Sequence, residues 1–93
     1  MNKPLKIKNC MEDFVFSHLD EIISRDNTIC RCDRCRTDIA LLALNRLKPY
    51  YVSTEKGDTY TRLALYEKNS EVDILCALAY AISIVSVNPN HDQ

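Results

Sequence analysis

The sequence predicts a small all-α domain, a bundle of about four helices with a zinc-binding loop, and three observations carry that reading. Apolar residues recur at helical spacing in three separate stretches. One glycine and three prolines in 93 residues leave too few turn-formers for a strand-rich sandwich or barrel. Three of the five cysteines crowd into one short loop between two of the periodic stretches. At this length the chain forms a single domain, residues 1–93, without repeats, low-complexity tracts or an internal linker.

The first helix starts at Asn9, whose side chain can cap the orphan amides of a first turn. Glu12 stands three residues later in a capping-box arrangement, and Glu12 and Asp13 suit the positive end of the helix dipole. Met11, Phe14, Val15, Leu19, Ile22 and Ile23 fall on one face, and the polar cluster Arg25-Asp26-Asn27 ends the helix. A second helix carries Ile39, Leu41, Leu42, Ala43, Leu44 and Leu47. Its apolar content runs nearly all round, which predicts the central, most buried helix. Either Asp33 or Thr37 can cap it, and Lys48-Pro49 ends it because the residue before proline avoids helical dihedrals.

Tyr50 to Thr54 reads as extended, and Glu55-Lys56-Gly57-Asp58 as a turn with Gly57 at a position of positive φ. Thr59 to Tyr66 fits a short helix through Tyr60, Leu63 and Ala64. The alternative is a short β-hairpin around residues 50–62, pairing Tyr50–Thr54 with Thr59–Arg62. A last, long helix is capped by Asn69 or Ser70 and stops before Asn88-Pro89. One face carries Val72, Leu75, Cys76, Ala79, Ile82 and Ser83; a second stripe carries Ile74, Leu78, Ala81 and Val85.

Composition removes several function classes. Twelve basic residues against thirteen acidic ones give a net charge of −1, unlike a chain that binds nucleic-acid polymers by neutralising phosphates. A lone glycine, Gly57, excludes glycine-rich phosphate loops and dinucleotide fingerprints. The basic start, Met1 to Lys8, is followed by no apolar h-region, and the run Ile74–Val87 falls short of the ~18–20 residues of a membrane span. The expectation is a cytoplasmic protein without a membrane partner. In that reducing setting an odd number of clustered thiols points to metal rather than disulfides.

Cys30-x-Cys32-x-x-Cys35 is the sharpest chemical feature. Three thiols within six residues converge on one point when a loop turns into a helix, which is what a tetrahedral zinc site needs. Cys30 and Cys32 are too close for an easy disulfide, and a Cys32–Cys35 redox pair would leave Cys30 idle. Arg31, Arg34 and Arg36 can offset the negative charge of a thiolate site, or stand as solvated surface. Three candidates compete for the fourth ligand: Cys10 in the first helix, Cys76 on the last helix, and His91 on the segment after it. The cysteines among them otherwise read as small apolar residues. The two histidines, His18 and His91, have no evident nucleophile partner, and no glutamate near the cysteines reads as a general base, so the expectation is a non-enzymatic chain.

Asn9-x-Met11-Glu12-Asp13-x-Val15, Cys30-x-Cys32-x-x-Cys35-Arg36-x-Asp38 and Ala43-Leu44-Asn45-Arg46-Leu47-x-Pro49-x-Tyr51-Val52 resemble the late competence development protein ComFB family. Gly57-x-x-Tyr60, Asp73-Ile74-Leu75 and Asn88-Pro89-x-His91 extend the likeness over nearly the whole chain. The resemblance implies a mainly helical, zinc-containing and often dimeric protein. Family members carry Cys or His after the Pro89 position, which favours His91 as fourth ligand. Lys48-Pro49-Tyr50 departs from the family pattern, which usually has two prolines there.

The resemblance also implies a regulatory or adaptor role with a cyclic dinucleotide, c-di-GMP or c-di-AMP, as ligand. Such a ligand needs guanidinium groups for phosphates or guanine edges and aromatic faces for base stacking. Arg34, Arg36, Arg46, Lys48, Tyr50 and Tyr51 are the candidates for those roles. The plainer reading has Arg46 serving a helix C-terminus and the tyrosines packing on the core. A purely structural, dimeric protein–protein interaction module in competence and DNA uptake, without a small-molecule ligand, is the alternative function. Surplus apolar surface on the second and last helices predicts a homodimer in either case.

Overall fold

A computed structural model of the chain describes residues 5–67 and 70–88. Four helices dominate: α1 (Cys10–Arg25), α2 (Asp33–Asn45), α3 (Glu55–Glu67) and α4 (Ser70–Val87). Two short strands, β1 (Lys8–Asn9) and β2 (Tyr51–Val52), pair antiparallel with Lys8 opposite Val52 and Asn9 opposite Tyr51.

α1 forms as its sequence dictates. Asn9 holds an extended backbone, and its Oδ1 accepts the Met11 amide at 3.1 Å. The same oxygen accepts the Tyr50 amide at 2.8 Å, so one side chain both starts the helix and fastens β2 beside it. Met11, Val15, Leu19 and Ile23 are buried, with Phe14 and Ile22 packed partly against the same core.

α2 and α4 pack against each other most extensively, and α1 lies across both. The slab is 20 Å thick, about two helix diameters, so each helix keeps a wet face. Ile39, Ile74, Leu78 and Val15 are the largest fully buried side chains. Each such burial contributes about 1.5–3 kcal/mol. The expectation that α2 is the most buried helix is not met: Leu41 is 53% exposed, and α4 buries as much as α2 does.

α4 turns its second stripe inward: Ile74, Leu78, Ala81 and Val85 are buried, joined by Ala77. The other stripe faces mostly out, with Val72 52% exposed and Leu75 40% exposed, although Ile82 packs partly against the core. Both stripes are apolar, so periodicity alone cannot choose between them; the surface offered by α2 does. By length and mean hydropathy (18 residues, 1.7) α4 would also suffice to cross a membrane, although here its inner stripe lies against α1 and α2.

The hairpin around residues 50–62 does not form. β2 pairs with β1 from the start of the chain, and the following residues coil into α3. Thr54 makes this possible: its Oγ1 accepts the Gly57 amide at 3.0 Å, and its carbonyl accepts the Asp58 amide at 2.9 Å. That is a threonine N-cap, so Gly57 sits in the first turn of a helix rather than at a left-handed bend. The absence of a Cβ still matters there, because one would meet Thr54 Oγ1 at 3.2 Å.

Candidate metal centre

The loop between α1 and α2 is folded by its own polar residues. Asp26 accepts both the Thr28 amide (2.9 Å) and the Thr28 hydroxyl (2.6 Å), and these bonds hold its carboxyl below the usual range. Arg31 reaches back to donate to the Ile23 carbonyl at 2.9 Å and the Asn27 side chain at 3.2 Å, closing the open end of α1. Ile29 drops into the core between these anchors, 6% exposed.

Neither Asp33 nor Thr37 caps α2. Cys32 does: its Sγ accepts the Cys35 amide at 3.3 Å, and its carbonyl accepts the Arg36 amide at 3.0 Å. A sulfur at a helix N-terminus faces the positive end of the dipole. The cap folds the loop onto the helix and brings the Sγ atoms of Cys30, Cys32 and Cys35 within 4.8 Å of one another. Thiolates on one tetrahedral zinc, with bonds of ~2.3 Å, lie about 3.8 Å apart, so a contraction of at most about 1 Å would seat the ion. Cys35 is buried, and that burial, helped by hydrogen bonds with Cys32 and Cys30, pushes its thiol up to about 12. Cys30 and Cys32 lie at the surface, which leaves the cluster an entry path.

The C-terminal end of α4 comes to the same place. A cavity of about 190 Å³ beside the cluster is lined by Ile29, Cys30 and Cys35 and, from α4, Val85 and Ser86. His91 lies outside the described residues, five positions beyond Ser86. The two competing cysteines are elsewhere. Cys10 is wholly buried and donates to Asp58 Oδ1 at 3.0 Å. Cys76 is exposed, against the expectation of a packed apolar residue, beside Arg46, Lys48 and Asp73.

The residues nominated for a nucleotide divide between the two ends of α2. Near its start Arg34 faces Asp38 (3.9 Å), and Arg36 pairs with Asp20 across to α1 (2.8 Å) and with Asp33 (3.9 Å). Past its end, Arg46 lies 4.0 Å over the ring of Tyr80, and Lys48 sits 6.0 Å from the ring of Tyr50. Ten positions along the helix, about 15 Å, separate Arg36 from Arg46. Tyr50 is partly buried against the core, and Tyr51 is 63% exposed on β2. Tyr80 escaped the sequence reading, as did the link that Asp13, Asp58 and Arg62 make between α1 and α3. The i, i+4 spacing of Asp58 and Arg62 was the available signal, legible only once residues 55–67 are taken as helical.

Fold and loop together define a class: a small four-helix protein with a thiol cluster of metal-ligand geometry on its α1–α2 connection. The family model for the late competence development protein ComFB matches residues 8–89. The "Competence protein ComFB" of Bacillus subtilis (strain 168) is 32% identical over 72 residues, covering 77% of this chain and 74% of that protein. A solved structure described as the structural characterization of the late competence protein ComFB from Bacillus subtilis superposes with a TM-score of 0.75 at 30% identity. It covers 90% of this chain and 92% of its own. The chain belongs to the ComFB family and is a ComFB-like competence protein.

Proposed function

We propose that this protein is a non-enzymatic, cytoplasmic regulatory or adaptor domain of the late competence system, built on a structural zinc and acting as a homodimer. The observation that carries the reading is the convergence of the Cys30, Cys32 and Cys35 sulfurs within 4.8 Å on a helix N-cap. His91 is the fourth ligand in this proposal; its support is the end of α4 beside the cluster and the engagement of Cys10 elsewhere. A site closed by four protein ligands stabilises a fold rather than activating water.

The cyclic dinucleotide belongs at the far end of α2 in this reading. Arg46, Lys48, Tyr50 and Tyr80 supply cations and rings there, whereas Arg36 is already held by two carboxylates. The competing reading, a dimeric protein–protein module without a small ligand, draws its support from the exposed stripe of Val72 and Leu75 on α4.

Native mass spectrometry of the purified protein tests the three elements together. The expected species is a dimer carrying one zinc per chain; a metal-free chain that keeps its fold would overturn the zinc reading, and a monomer at tens of micromolar the dimer. Calorimetry with c-di-GMP and with c-di-AMP decides the ligand: saturable heat weakened by Arg46→Ala supports it. No heat with either leaves the interaction module as the function.

A further inference from the structure

Between α1 and α2 lies an open groove of about 640 Å³ that no part of the described chain fills. Its floor is apolar, made by Phe16 and Leu19 of α1 with Ala40, Leu41 and Leu44 of α2. Phe16 is 46% and Leu41 53% exposed, and the two share one concavity. Its rim is acidic. Glu12, Asp20 and Asp33 stand there, and the single cation, Arg36, is already shared between Asp20 and Asp33.

The complementary surface lies just before α1 in the same sequence. Leu5 is 84% exposed and Ile7 62% exposed, on an extended segment that also carries Lys6 and Lys8. In an extended chain Leu5 and Ile7 point to one side and the lysines to the other. Two apolar side chains can therefore enter a groove while the long stem of Lys6 leans to an acidic rim.

The segment is badly placed to reach its own groove. Lys8 is fixed by strand pairing with Val52 and by its ion pair with Asp13, which Arg62 of α3 also holds. It thus leaves α1 on the flank facing α3, whereas the groove is on the flank facing α2. Leu5 to Ile7 span about 10 Å when extended, no more than the width of the helix they would have to cross.

We infer that the groove between α1 and α2 receives the Leu5–Lys8 segment of a second copy of this chain, Leu5 and Ile7 filling the Phe16–Leu41 concavity and Lys6 facing Glu12. The exchange is reciprocal in a twofold dimer, so each chain lends one segment and receives one. It rests on the proposed homodimer and adds which surfaces meet in it.

The test places the photo-crosslinking residue p-benzoylphenylalanine at the exposed Leu41 position, in an equal mixture of ¹⁴N- and ¹⁵N-labelled full-length chains. Crosslinked peptides are then mapped by mass. The expected product joins position 41 to residues 5–8 with mixed isotopes, and its yield falls about tenfold or more in Ile7→Asp, the loss expected when one isoleucine forfeits its burial. Circular dichroism of Ile7→Asp controls for folding. Mixed-isotope crosslinks to any other segment would leave the homodimer standing and overturn the exchange. Crosslinks to residues 5–8 of the same chain alone, or none in a sample that native mass spectrometry shows to be dimeric, would also overturn it. A monomeric sample without crosslinks would sink both readings.

Discussion

Cys10 donates its thiol proton to Asp58 across 3.0 Å, and this bond begins the clasp that holds α3 to the rest of the protein. Asp58 Oδ1 also accepts Arg62 Nε at 2.8 Å, and Arg62 Nη2 crosses to Asp13 Oδ2 at 2.8 Å. The guanidinium lies 5.1 Å from the centre of the Phe14 ring, so α1 receives it with both charge and an aromatic face. Among its described residues α3 sinks one side chain, Leu65, fully into the core. Polar contacts therefore do much of the fastening.

Arg62→Ala should release that clasp. The expected cost is about 1 kcal/mol, the scale of a partly screened ion pair with a cation–π contact. Hydrogen exchange locates it: α3 amides should exchange several-fold faster while those of α4 keep their protection. Uniform acceleration across all four helices would contradict the assignment.

The clasp should respond to pH from both sides. The Asp58 carboxyl is held below its ordinary range by the Cys10 thiol and then by Arg62; Asp13 is lowered by Lys8 and then by Arg62. Stability from these groups is complete above the ordinary carboxylate pKa of ~3.9 and disappears as pH falls below it. Burial, followed by the Asp58 bond, raises Cys10 from 9.0 to about 11, so its contribution is complete below pH 9.0 and fades as pH rises through about 11. Melting temperature against pH should show a shallower acid limb in Asp58→Asn and a shallower alkaline limb in Cys10→Ser.

At the loop, Cys35→Ser should abolish stoichiometric zinc in the purified protein and lower its melting temperature. Cys76→Ser, at an exposed position away from the cluster, should change neither. Elemental analysis beside thermal melts separates the two. Equal zinc in both variants would place the metal elsewhere.

Asn9→Ala removes the acceptor of two backbone amides, those of Met11 and Tyr50. A lost cap and a lost tertiary hydrogen bond should together cost about 2 kcal/mol. Chemical denaturation measures it, and Asn9→Asp, which keeps the acceptor, should recover most of the loss.

On α4, Leu78→Ala should cost about 2–5 kcal/mol, because Leu78 is fully buried and its truncation leaves a cavity. Leu75→Ala, one turn away on the outer stripe, should stay within about 1 kcal/mol by the same denaturation assay.

How much of this was legible in the sequence depended on how local each signal was. α1 was the most legible element, since its Asn9 cap, its first-turn acids and its apolar stripe all lie within sixteen residues of one another. The cysteine cluster was legible for the same reason. α3 was legible only in part: Tyr60, Leu63 and Ala64 marked a short helix, but Gly57 and the β-branched Thr59 and Thr61 argue against one, and the Thr54 cap that sets its start is a single residue. The false hairpin arose because the real partner of Tyr51–Val52 lies more than forty residues earlier, at Lys8–Asn9. Cysteine is seldom the N-cap of a helix, which hid the role of Cys32. Cys76 was misplaced because α4 offers two apolar stripes, and only its neighbours select one.

The three clustered sulfurs belong to six consecutive residues, and that closeness persists when the fold is lost. A denatured chain keeps them within a short chelate loop, so it too would capture a thiophilic ion. Only the difference in affinity between the two states stabilises the native one, and a strong ligand set present in both adds little to that difference. Discrimination would come from what the denatured chain lacks: the Cys32 cap that orients the sulfurs and, under the proposed zinc site, His91 as the fourth ligand. Affinity measured on a loop peptide would therefore say how tightly zinc is held, but not how firmly zinc holds the protein.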